Sequence, residues 1–172
     1  ANTAALSDAE KAAAKGFGKT VQAYVMLNAL NMMGSNGIRT SFTDLSSEGD
    51  LLKPGCFKNY TESLTYLKGL VEDGLADLAQ AGTTEFPFAM VDGWGDLASI
   101  EGFKKFNRAV AARIALYQQD WNSLETALNQ SFMDLDGDLN EGPSFLYSNV
   151  LGDETNPIWR SFDNNSTPIL VQ

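Results

Sequence analysis

Apolar residues recur at steps of three and four along four segments of the chain, which predicts four α-helices. The first helix begins after Ser7, with Glu10 placed to complete a capping box, and ends at Gly34. Its later turns are apolar over a broad arc, so we expect it to pack between neighbours.

The second helix begins after Asn59, with Glu62 as the capping partner. Its apolar face consists of Leu64, Leu67, Val71, Leu75 and Leu78. Gly74 lies inside this second helix and weakens it unless a neighbouring element approaches closely there.

The third and fourth helices form a predicted hairpin, since the short polar break "QQD" separates two apolar stripes. Ser99 is placed to cap the third helix and Asp120 to cap the fourth. Both helices contain alanines that leave room for close contacts, as in helical hairpins that stack into a solenoid. These alanines are Ala109, Ala111, Ala112, Ala115 and Ala127.

Irregular connections separate the helices. Residues 35–57 and 81–99 are rich in glycine and polar residues, and the second stretch also contains Phe86, Phe88 and Trp94. Residues 131–172 are dense in Asp, Asn, Gly and Pro, with a short strand expected near "SFLYS". The pattern therefore predicts one mainly all-α domain over residues 1–172, with a helical scaffold at 1–130 and an irregular, loop-rich segment at 131–172.

The composition of the chain excludes several classes of function. The net charge of −10, with scattered basic residues, argues against nucleic acid as a partner. The sequence contains no histidine, which removes Ser-His and Cys-His nucleophile pairs and His-containing zinc sites. Cys56 is the single cysteine and is expected to be a packed or loop residue. The segment "GFGKT" lacks the spacing of a phosphate-binding loop and lies in a predicted helix. We therefore expect a protein that is not an enzyme, with a glycosidase-like carboxylate pair as an open alternative.

Three closely spaced aspartates raise the question of a metal site. Asp134, Asp136 and Asp138 are followed by Asn140 and Glu141, and calcium takes several such oxygen ligands. The register does not match an EF-hand, because Leu139 or Glu141 falls where glycine is required. Two interpretations stay open, a calcium site of another kind and a solvated polar turn. No other cofactor is expected.

The order of segments resembles the RagB/SusD (SusD-like) family of outer-membrane nutrient-binding proteins. The resemblance covers nearly the whole chain and is carried mainly by "GFGKTVQAYVMLNAL", "YLKGLVEDGLADLAQAG", "FKKFNRAVAARIALYQQDWNSLETALNQSF" and "LDGDLNEGPSFLYS". It implies tetratricopeptide-like helical hairpins with irregular insertions. Family members are lipid-anchored at the bacterial cell surface, where they bind an oligosaccharide or another nutrient and work with a SusC-like TonB-dependent porin. The chain lacks the lipidated N-terminal segment and the long C-terminal region of the family, so we expect it to be a portion of a longer protein.

If the chain binds a sugar, aromatic faces in the loops are the expected contacts, with polar groups nearby to orient hydroxyls. Trp94, Tyr147 and Trp159 are the candidate ligand-binding residues, since each lies among Asp, Asn or Gly. The alternative for each is that it covers the core. A tetratricopeptide-like module that binds a protein partner is the second functional hypothesis, although simple repeats keep their turns short.

Overall fold

The computed structural model describes residues 6–40, 55, 57–138, 142–145 and 147. Within these residues the protein is mainly α-helical, which confirms the prediction of a mainly all-α fold. The α-helices are α1 (Asp8–Met33), α2 (Tyr60–Ala81), α3 (Ile100–Gln118) and α4 (Trp121–Asn129). Short 3₁₀ helices cover Gly34–Asn36 and Asp92–Ala98. None of the α-helices in these ranges has the length and apolar character needed to cross a membrane.

The helix starts lie where the sequence placed them. Ser7 Oγ accepts a hydrogen bond from the Glu10 N–H at 3.2 Å, and Glu10 Oε2 accepts from the Ser7 N–H at 2.7 Å. Asn59 and Glu62 form the same reciprocal pair at the start of α2. The Ser7 hydroxyl and backbone hydrogen bonds lower the pKa of Glu10. Both predicted capping boxes are therefore confirmed.

The first two helices pack tightly because glycines face each other. A Cβ at Gly16 would lie 2.6 Å from Leu78 Cγ and 2.9 Å from the Gly74 carbonyl oxygen, so no side chain fits there. Gly74 therefore permits the close approach that its position inside a helix suggested. On α1, Ala13, Gly16, Thr20 and Ala23 are buried, whereas Tyr24 and Met33 are exposed. The expectation that α1 packs between neighbours over a broad arc holds only for part of its surface.

Two apolar clusters make up the core of the described ranges, and Phe106 of α3 packs against both. The first lies between α1, α2, α3 and α4 and includes Leu27, Leu67 and Ile114. The second lies under the 82–99 connection and includes Leu78 and Phe103. Four of the five hairpin alanines are buried, namely Ala111, Ala112, Ala115 and Ala127.

A buried polar network joins the three long helices. Asn107 Nδ2 of α3 donates to Thr20 Oγ1 of α1 at 2.8 Å and to the Val71 carbonyl of α2 at 2.9 Å. Asn107 Oδ1 accepts from Nε and Nη2 of Arg108 at 3.0 and 2.7 Å. Arg108 Nη1 also donates to Glu72 Oε1 at 2.9 Å. The apolar periodicity of α3 did not predict this network.

The irregular segments differ from expectation in two places. Ile38–Arg39 (β1) and Phe57–Lys58 (β2) form a short antiparallel pair inside a stretch for which no regular structure was predicted. The prediction of a strand near "SFLYS" is wrong for the described residues of this stretch, because residues 144, 145 and 147 are not in a strand. Cys56 lies outside the described residues.

Candidate functional site

A cleft of about 800 Å³ lies between the 3₁₀ helix Asp92–Ala98, the start of α3 and the segment that follows α4. We call it the Trp94 cleft. It combines one indole, several charged side chains and exposed backbone. Its lining includes Asp92, Gly93, Trp94, Gly95, Asp96, Glu101, Lys105, Phe132, Gly142 and Ser144.

One wall of the cleft is built by the cap of α3. Ser99 Oγ accepts a hydrogen bond from the Gly102 N–H at 3.0 Å and donates to the Asp96 carbonyl at 3.0 Å. These bonds hold the 3₁₀ helix against the first turn of α3. A Cβ at Gly102 would collide with the Asp96 carbonyl and lie 2.6 Å from Leu97 Cα, so only glycine allows this approach. The capping function predicted for Ser99 is confirmed, and the cap also shapes the cleft.

Trp94 is half-buried and belongs both to the core cover and to the cleft. Its ring centroid lies 5.6 Å from that of Phe103 and 4.9 Å from that of Phe106, the second pair being edge-to-face. These contacts fix the indole, as aromatic pairs do in cores. The two interpretations of Trp94, as a core cover and as a ligand contact, are thus compatible.

The opposite wall comes from the segment after α4. The Ser144 N–H donates to the Gly93 carbonyl at 2.8 Å, and Ser144 Oγ lies 3.2 Å from the same oxygen. A side chain at Gly93 would collide with the Ser144 carbonyl. Phe132 adds a second aromatic ring to the lining. The described part of the 131–172 segment therefore contributes directly to the cleft.

Charged groups surround the indole. Glu101 is paired with Lys104, whose Nζ lies 2.6 Å from Glu101 Oε1. Asp92, Asp96 and Lys105 form no ion pair within the described residues. Carboxylate acceptors and the Lys105 ammonium thus line the same cleft as an aromatic ring, which is the combination that orients a polyhydroxylated ring.

Tyr147, the second candidate aromatic, does not line the Trp94 cleft. Tyr147 is 49% exposed, and its ring centroid lies 4.7 Å from that of Phe145. Neither residue of this pair lines the cleft. Trp159 lies outside the described residues. Of the two candidates that the structure describes, Trp94 lines the cleft and Tyr147 does not.

The aspartate-rich segment is an exposed turn as far as it is described. The Asp136 N–H donates to Asp134 Oδ1 at 3.0 Å, a bond typical of Asx turns. No group of three or more acidic or cysteine side chains is arranged to hold a metal ion in the part of the chain that the structure describes. Asn140 and Glu141 lie outside that part, so the calcium hypothesis for Asp134, Asp136 and Asp138 stays a prediction.

A second depression, of about 460 Å³, runs between α2, α3 and α4, and we call it the hairpin groove. Small residues such as Ala111 and Ala115 form part of its lining. Arg108, only 7% exposed, also lines it. Polar residues at helical spacing line it from α2 and α4, namely Lys68, Glu72, Asn122, Thr126 and Gln130.

One end of the hairpin groove is closed by the cap of α4. Asp120 accepts hydrogen bonds from the Ser123 hydroxyl at 2.6 Å, the Ser123 N–H at 3.1 Å and Lys68 Nζ at 3.0 Å. The Ser123 side chain first, and then Lys68, lower the pKa of Asp120 to about 2. This cap joins α4 to α2 as well as starting the helix, which the sequence prediction did not include.

Sequence reasoning missed most of the residues that surround Trp94. The pattern "DGWGD" contained a usable indication, because an indole lies between two glycines that aspartates flank. Lys105, Phe132 and Ser144 come from other segments, and no local spacing connects them with Trp94.

Comparisons of the chain with known protein families, with curated proteins and with solved structures found no match.

Proposed function

We propose that this chain is the helical, ligand-binding portion of a cell-surface protein that captures an oligosaccharide for a TonB-dependent outer-membrane transporter of the SusC type. The SusD-like order of segments supports this function. The observation that carries it is the Trp94 cleft, where a fixed indole lies beside carboxylates and an ammonium group. In this proposal the helices form tetratricopeptide-like pairs, and the connections between them supply the ligand contacts.

The physical basis of the proposal is that the cleft offers two kinds of contact, stacking on the indole and hydrogen bonds to hydroxyl groups. Phe103 and Phe106 hold the indole, so little side-chain entropy remains to be lost when a sugar ring stacks on it. Asp92, Asp96 and Lys105 provide hydrogen-bonding groups for hydroxyls. Ligand sites of this kind pair an apolar surface with a few polar groups that set orientation.

The test is calorimetry of the chain against neutral malto-, cello-, xylo- and manno-oligosaccharides. We expect saturable binding to at least one of them, weakened about tenfold or more in Trp94→Ala. Trp121→Ala is the matched control, because Trp121 is 62% exposed on α4 and does not line the cleft. Circular dichroism verifies that each variant is folded.

Trp94 also supports the core, so a second variant separates binding from folding. Asp96→Ala leaves the aromatic contacts intact and should weaken binding about threefold through loss of a hydrogen-bond acceptor. Unchanged affinity in both variants would contradict the proposal, as would the absence of binding to every oligosaccharide.

Chromatography of the recovered ligand tests the hydrolase alternative, since three carboxylates line the cleft. We expect the ligand to be recovered intact.

The hairpin groove favours one other function, a helical module that binds an extended peptide of a partner protein. Its small residues allow close approach of a peptide, and polar side chains line it from α2 and α4. Thr126→Arg would fill the groove without touching the Trp94 cleft. If the groove is the functional surface, this variant abolishes partner binding whereas Trp94→Ala leaves it unchanged.

A further inference from the structure

We infer that the Trp94 cleft prefers oligosaccharides that carry protonated amino groups over neutral or anionic ones. This inference rests on the proposed function and names the ligand class for the same cleft. It is carried by an imbalance of unpaired charge in the cleft that a fixed, half-buried indole lines. The aromatic ring and the cleft define the site, and the charges define which ligand the site selects.

The sequence "DGWGD" sets the geometry of the selecting groups. Gly93 is required by the nearby Ser144 carbonyl, and Gly95 adopts a positive φ of 47° at a kink within the segment Asp92–Ala98. With no side chains at these two positions, Asp92 and Asp96 are the nearest side chains along the chain on either side of the indole. All five residues of the motif line the cleft.

Neither Asp92 nor Asp96 is neutralised by an ion pair in the part of the chain that the structure describes. Lys104 is paired with Glu101. Lys105 lines the same cleft and is also unpaired, so one ammonium group opposes two carboxylates. The net charge of the chain, −10, adds to the local excess of negative charge. A ligand ammonium therefore gains attraction at this site, and a ligand carboxylate meets repulsion.

The experiment compares three oligosaccharides of equal length by calorimetry at mildly acidic pH, where sugar amines are protonated. The ligands are β-1,4-linked glucosamine, its N-acetylated counterpart and α-1,4-linked galacturonate. We expect the amino form to bind about fivefold more tightly than the acetylated form at low salt, and galacturonate to bind most weakly. High salt should remove most of this preference, because exposed charges are screened.

Two double variants separate the local carboxylates from the overall charge. Asp92→Asn/Asp96→Asn should abolish the preference for the amino form while it retains hydrogen-bonding groups for neutral sugar. Asp73→Asn/Glu125→Gln changes the net charge by the same amount at exposed positions on α2 and α4 outside the cleft, and should retain the preference. Lys105→Gln should strengthen binding of the amino form.

The outcomes distinguish this inference from the proposed function. Equal or tighter binding of the acetylated or galacturonate ligand overturns the charge preference and leaves nutrient capture standing. A preference that survives in Asp92→Asn/Asp96→Asn, or that is lost equally in the control pair, overturns it as well. Absence of saturable binding to all three ligands and to the neutral oligosaccharides contradicts nutrient capture itself, and this inference with it.

Discussion

Asn107 of α3 links the three long helices through buried hydrogen bonds. Its amide bonds to α1 and α2, while its carbonyl oxygen receives two hydrogen bonds from Arg108. Asn107 is fully buried, so water cannot replace these partners. From the sequence, asparagine within a helix indicated nothing of this kind, because its partners lie 36 and 87 positions away along the chain.

Asn107→Ala should reduce the free energy of unfolding by about 3 kcal/mol, because it removes the buried hydrogen bonds to Thr20 and to Nε and Nη2 of Arg108. Urea unfolding followed by circular dichroism measures the change. Asn122→Ala, at an exposed position on α4, is the control and should remain within about 0.5 kcal/mol of the parent protein. A loss in Asn107→Ala no larger than in the control would show that the network contributes little to stability.

At the scale of elements, the contact between α1 and α2 depends on the absence of side chains at Gly16 and Gly74. The helical periodicity predicted both helices and their caps, because those features are local. Which glycine lies at the contact could not be predicted, since Gly16 and Gly18 are indistinguishable in sequence terms. Only the packing separates them: a Cβ at Gly18 meets no atom within 4 Å.

Gly16→Ala should destabilise the protein by about 1–3 kcal/mol, because its methyl group pushes α1 away from Leu78 and Gly74. Gly18→Ala should stabilise it by up to about 1 kcal/mol through improved helix propensity. Thermal unfolding of the two variants, two positions apart on one helix, provides the comparison. Stabilisation of similar size in both would mean that α1 and α2 do not approach as closely as described.

The cap of α4 predicts a specific acid sensitivity. The pKa of Asp120 is lowered from an ordinary value of about 3.9 to about 2, so its contribution is complete above the unfolded-state pKa. That contribution is lost as the pH falls from about 4 towards about 2. Asp120→Asn keeps a residue that caps well but removes the charge. Its unfolding free energy should therefore fall less steeply with pH in this window than that of the parent protein.

Urea unfolding at several pH values across that window measures the two slopes. Asp73→Asn removes an exposed carboxylate on α2 that has no ion pair within the described residues, and should retain the parent slope. Identical slopes for the parent protein and Asp120→Asn would contradict the assigned contacts with Ser123 and Lys68.

At the scale of the whole molecule, the sequence predicted the helices better than the site. Caps and apolar stripes depend on neighbours three or four positions apart. Local spacing was therefore enough to assign the N-cap residues of the four α-helices, namely Ser7, Asn59, Ser99 and Asp120. The Trp94 cleft joins segments about 50 positions apart through the bond between Gly93 and Ser144, and no local pattern encodes that contact. Trp94 itself is a candidate from the sequence because glycine and aspartate flank it on both sides.

The most direct test of the central claim is the fluorescence of Trp94 alone during sugar binding. The chain has three tryptophans, so Trp121→Phe/Trp159→Phe leaves Trp94 as the only indole. We predict that an oligosaccharide bound in calorimetry shifts the Trp94 emission to shorter wavelength and reduces its quenching by acrylamide, with a midpoint equal to the calorimetric Kd. Saturable binding with unchanged Trp94 emission and quenching would contradict the claim that the ligand occupies this cleft.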